Sequence, residues 1–130
     1  MNREEIREQT MQLIFQMDAQ GIFDYEKVIP IAENTKIISK SQAVATLTAI
    51  REHIEDIDNT IKANLDNWNF DRIAKTDLAI LRNAVTEMLY IDAIPNGVAI
   101  NEAVNMAKKY GDDKAYAFVN SVLSKIDKSL

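Results

Sequence analysis

The 130 residues make one domain of ordinary size, with a formal net charge of −5 and no cysteine. These totals exclude a disulfide framework, cysteine zinc sites and a cysteine nucleophile, and they argue against broad, non-specific affinity for nucleic acid. Three glycines, two prolines and little strand-like alternation predict an all-α domain.

Residues 1–20 are rich in Glu, Gln and Arg and lack the apolar core of a secretory signal. No apolar run approaches the roughly 20 residues of a membrane helix, so no membrane partner is expected. In the first helix Asn2 serves as a cap, with Glu5 completing a capping-box pattern. Ile6, Thr10, Leu13, Ile14 and Met17 then share one face, and Gly21 reads as the stop. A short helix is expected over Asp24 to Glu33, ended or kinked near Ile29 by Pro30, with a loop from Asn34 to Lys40.

Ser41 to Asp66 is strongly helical, either as one helix or as two joined near Glu52 to Asp56. Its stripe is Ala43, Leu47, Ile50, Ile54, Ile57, Ile61 and Leu65. His53, the only histidine, lacks partners for catalysis or a metal and reads as a surface or boundary residue. Trp68 and Phe70 are expected to tuck into the core. Thr76 or Asp77 caps the next helix, whose stripe is Leu78, Leu81, Val85, Met88 and Leu89, widened by Ile80 and Ala84. Pro95, Asn96 and Gly97 make a turn into a helix over Val98 to Tyr110, and Gly111 is expected as its left-handed cap. Asp112 or Asp113 opens the last helix, which carries Ala115, Phe118, Val119, Val122, Leu123 and Ile126 and frays from Lys125.

Glycine-rich phosphate loops and nucleophile elbows are both missing, and the many carboxylates read as solvated helix faces, so neither enzyme chemistry nor a cofactor is expected. Arg82, Asn101, Glu102 and Asn120 stand inside apolar runs where packing alone does not ask for them. The last three read as structural hydrogen-bonders between helices.

The phrases Trp68, Asp77 to Arg82, Glu87-Met88-Leu89, Ile94-Pro95, Val98 to Val104, Ala107 to Gly111 and Phe118-Val119-Asn120-Ser121-Val122-Leu123 resemble, in order and spacing, the NusB family of bacterial transcription antitermination factors. The resemblance covers Trp68 to Leu123 well and Arg3 to Asp18 moderately; Ala19 to Leu65 matches only in helical pattern. It implies an all-α, NusB-like bundle of about seven helices forming one RNA-binding domain over 1–130, in two subdomains over about 1–66 and 67–130.

It also implies a cytoplasmic protein that binds boxA, a single-stranded RNA element, together with the ribosomal protein NusE. Through them it would act on the RNA polymerase elongation complex in ribosomal RNA operons. The RNA-contacting positions carried over are Arg3, Arg7, Phe15, Asp77, Arg82, Lys114 and Phe118. Glu4 and Glu5 depart from the family's basic first helix, which predicts weak RNA binding by the chain alone. Other readings are a helical scaffold or homodimer without an RNA role, or an accessory domain related to ribosomal RNA methyltransferases.

Overall fold

The computed structural model describes residues 2–30 and 39–130; the end of the expected second helix and most of the expected loop after it lie outside the described residues. The described residues form six α-helices: α1 (Arg3–Gln20), α2 (Tyr25–Val28), α3 (Ser41–Ala63), α4 (Lys75–Tyr90), α5 (Asn96–Tyr110) and α6 (Ala115–Ser129). A 3-10 turn over Phe70–Arg72 leads into α4. No helix among them is long and apolar enough to cross a membrane.

The local rules account for most boundaries. Asn2 Oδ1 accepts from the Glu5 amide at 2.8 Å, so α1 is capped as expected. Gly21 ends it at φ 69°, in the left-handed region. Asp24 caps α2, which stops at Val28, two residues before Pro30. In α3 the two expected alternatives meet: the helix runs through, but His53 at φ −130°, ψ 20° breaks its geometry. The His53 ring stacks on Tyr90 with centroids 4.2 Å apart, so the kink carries an aromatic contact between α3 and α4.

α4 sits at the centre and packs against α1, α3, α5 and α6. Every residue from Asp77 to Met88 is buried, polar ones included. A helix enclosed all round needs internal partners for its polar side chains. The expected stripes of α1, α3 and α6 face this helix and one another, and the buried residues of all the helices join in one core.

Four expectations are corrected. Trp68 is 60% exposed instead of tucked into the core. Its amide donates to the Leu65 carbonyl at 2.8 Å in a turn containing Asp66 at φ 46°, which turns the indole outward. Asn96 and Gly97 form the first turn of α5, whose cap position is Pro95. At the far end, α6 continues to Ser129, with Ile126 fully buried beneath it.

Gly111 is the fourth correction. Its φ of −93° is open to any residue, so a left-handed cap is not why glycine stands there. The reason is space: a Cβ on Gly111 would lie 2.4 Å from the Ala115 Cβ and 2.8 Å from the Ala107 carbonyl oxygen. Gly111→Ala is therefore expected to cost about 1–3 kcal/mol by forcing α5 and α6 apart. Urea unfolding measures it, and an unchanged midpoint would refute the close-approach argument.

Candidate nucleic-acid interface

Seven positions were expected at an RNA-binding surface, and they fall into two groups. Arg7, Asp77 and Arg82 are buried; Arg3, Phe15 and Lys114 are exposed, with Phe118 half-buried.

Arg7 projects from α1 onto α4. Its Nε donates to Glu87 Oε1 at 2.9 Å and its Nη2 to Glu87 Oε2 at 2.9 Å, a fork-to-fork pair. Glu102 of α5 approaches to 4.0 Å, and Asn83 Nδ2 reaches Glu87 Oε1 at 3.4 Å. Burial pulls the Arg7 pKa down, but the hydrogen bonds and charge of Glu87, with Glu102 adding, raise it overall above its ordinary value.

Arg82 is tied more extensively. Its Nε and Nη2 donate to Asp58 at 2.8 and 2.9 Å, and its Nη1 to Asp18 at 3.0 Å. Asp18 also takes Lys75 at 3.4 Å. The guanidinium carbon lies 4.7 Å from the Phe23 ring centre and 5.8 Å from that of Phe70. Burial again opposes the charge and the two aspartates outweigh it, so the Arg82 pKa is also raised. Both guanidiniums are committed inside the protein; they join α1 to α4, and α4 to α3.

Asp77 is not the cap of α4. That position is Ala74, which offers no side-chain hydrogen bond, and Asp77 stands within the first turn. Burial, with Asp112 adding, pushes its carboxyl above the ordinary 3.8. A carboxyl whose pKa is raised by folding favours the folded state below its unfolded value and penalises it as pH rises through the folded one. Asp77→Asn is therefore expected to be more stable than the parent at neutral pH, with the advantage shrinking as pH falls towards 3.8. Thermal unfolding of both proteins across that interval tests it, and a parent that is the more stable at neutral pH refutes it.

Among the exposed members, Phe15 (39% exposed) borders a shallow groove with Gln12, Thr76 and Tyr110. Glu8 pins its far wall, accepting from Lys109 Nζ at 2.8 Å and from the Tyr110 hydroxyl at 3.1 Å. The chain passes from Tyr110 through Gly111, beside Asp77, to Lys114 at the foot of α6. Phe118 lies one turn further on, in a groove with Trp68 and Lys114. Arg3 stands apart, about 18 Å from Phe15 along α1, beside Ile94 and Val98. Glu4 and Glu5 are exposed next to it in the first turn, where they complement the helix dipole.

Tyr110 and Trp68 are aromatic members of this surface that sequence reasoning did not assign to it. The signal for Trp68 was its setting between Asn67 and Asn69, a polar context that suits an exposed ring. Asn101 and Asn120 are exposed and, among the described residues, make none of the interhelical hydrogen bonds expected of them, whereas Glu102 does face Arg7. Among the described residues no group of three or more His, Cys, Asp and Glu is placed to hold a metal ion.

Comparison with known proteins matches the NusB family model over residues 4–128. The transcription antitermination protein NusB of Finegoldia magna is 38% identical over 128 residues, covering 97% of this chain and 93% of that protein. NusB of Bacillus subtilis is 40% identical over 126 residues, 97% and 95% of the two chains. Among solved structures, T. maritima NusB superposes with a TM-score of 0.85 at 30% identity, covering 98% of this chain and 92% of that one. A crystal structure of antitermination factors NusB and NusE in complex with dsRNA gives 0.78 at 27% identity, covering 98% and 97%. With a match of this length in sequence and in fold, the chain belongs to the NusB family.

Proposed function

We propose that this protein is a cytoplasmic, non-enzymatic antitermination factor that binds boxA RNA jointly with NusE and so acts on the RNA polymerase elongation complex at ribosomal RNA operons. The observation that carries this reading is its full-length likeness to a NusB solved together with NusE and RNA. Of the expected contact positions, the exposed Arg3, Phe15 and Lys114 and the half-buried Phe118 touch RNA or NusE directly. The buried Arg7 and Arg82 act by tying α1, α3 and α4 together, and the buried Asp77 stands beside the α5–α6 turn. Single-stranded RNA suits such a surface, because stacking on rings and a few basic groups recognise unpaired bases.

Glu4 and Glu5 and the acidic total keep the chain's own affinity low. Fluorescence anisotropy with labelled boxA RNA, a scrambled control, and the protein with and without NusE tests the reading. The expected result is weak binding alone, strong boxA-selective binding with NusE, and a shallow salt slope of about −0.7 per phosphate contact. Absence of selectivity in both conditions would refute the RNA role and favour a helical scaffold.

A further inference from the structure

We propose that Trp68 and Phe118 form a stacking platform for one unpaired base of the RNA, with Lys114 beside it for the adjoining phosphate. This deepens the proposed RNA role and rests on it. Isolated exposed apolar side chains are ordinary and need no explanation. Trp68 differs in three respects.

It is the chain's only tryptophan and the most exposed large ring, at 60%. The turn that presents it is fixed on both sides. The Trp68 amide donates to the Leu65 carbonyl at 2.8 Å, and Asn69 Oδ1 accepts from the Asp71 amide at 2.9 Å. The indole is thus held outward by its backbone.

Its ring also meets a second one: the Trp68 and Phe118 centroids are 5.1 Å apart at 56°. This tilted contact uses the edge of the pair and leaves indole surface open to solvent.

The charges around it are suited to RNA. The rings line a groove of about 440 Å³ with Asn67, Ser121, Lys114 and Lys125. Lys125 is paired with Asp66, but Lys114 has no ion-pair partner among the described residues. An aromatic face beside a free ammonium matches a base and its phosphate.

The single tryptophan makes the test specific. The chain is labelled with 5-fluorotryptophan, giving one ¹⁹F resonance that unlabelled NusE does not contribute to, and is titrated with boxA RNA and NusE while anisotropy follows binding of the RNA. Trp68→Ala is expected to weaken RNA binding about 5- to 150-fold, the equivalent of one stacked base, and Trp68→Phe to retain most of it. The ¹⁹F signal is expected to shift only when RNA joins.

RNA binding with an unmoved ¹⁹F signal and an unaffected Trp68→Ala variant overturns the platform but leaves the RNA role standing. A shift complete with NusE alone overturns it in favour of a protein interface. Absence of boxA binding in the parent overturns both.

Discussion

Replacing Arg82 with methionine is expected to lower unfolding stability by about 3–5 kcal/mol, among the largest effects of any single change in this chain. The substitution keeps an apolar stem of similar length but strands Asp58 and Asp18, which share this guanidinium at 2.8–3.0 Å. Among the described residues neither aspartate has another close cation except Lys75 on Asp18, at 3.4 Å and largely exposed. The Phe23 ring loses its cation as well, whereas Phe70 keeps Lys62 Nζ 4.8 Å from its centre. Arg82→Lys restores the charge without the planar fork, so its loss is expected to be intermediate. Urea unfolding of the three proteins measures the series. A loss below about 1 kcal/mol for Arg82→Met would mean that the aspartates rehydrate freely and that the cluster is not a structural tie.

That cluster also marks where the sequence was legible and where it was not. Helical periodicity placed the buried faces of α1, α3 and α6 correctly, because a stripe at 3.6-residue spacing reports burial within its own helix. The same rule captured only part of α4. Leu78, Leu81, Val85 and Met88 were expected inside, but Asn83, Thr86 and Glu87 lie inside too, enclosed by helices distant in sequence.

Arg82 was recognisable as an anomaly amid apolar neighbours, yet its partners lie 24 and 64 residues away, a separation no local pattern encodes. Gly111 was read from its position after a helix, whereas its actual reason is the approach of Ala115. Trp68 was placed inside on hydrophobicity alone; the turn at Asp66 decides otherwise. Of the expected RNA positions, the resemblance supplied the identities, and tertiary structure supplied what no alignment of motifs contains: which of them solvent reaches.

Arg7 and Glu87 offer the second large effect and a way to separate a structural arginine from an RNA-binding one. Arg7→Met alone strands a carboxylate that is 2% exposed, and Glu87→Met alone leaves a guanidinium that is 7% exposed with Glu102, at 4.0 Å, in place of its forked partner. Each is expected to cost about 3–5 kcal/mol. The double variant removes both charges and fills the space with flexible apolar side chains. It is expected to recover most of the loss, since buried ion pairs replaced by apolar groups are often near neutral. Recovery to within about 1–2 kcal/mol of the parent, measured as a double-mutant cycle, would show that the pair fixes α1 against α4 without being a net source of stability. The same folded double variant is then mixed with boxA RNA and NusE. If Arg7 acts only by positioning α1, binding stays within a few-fold of the parent, while Arg3→Glu, on an exposed side chain, weakens it. If the double variant folds but loses boxA selectivity, the Arg7 guanidinium must leave Glu87 to meet the RNA, and the buried pair is a resting state of the interface.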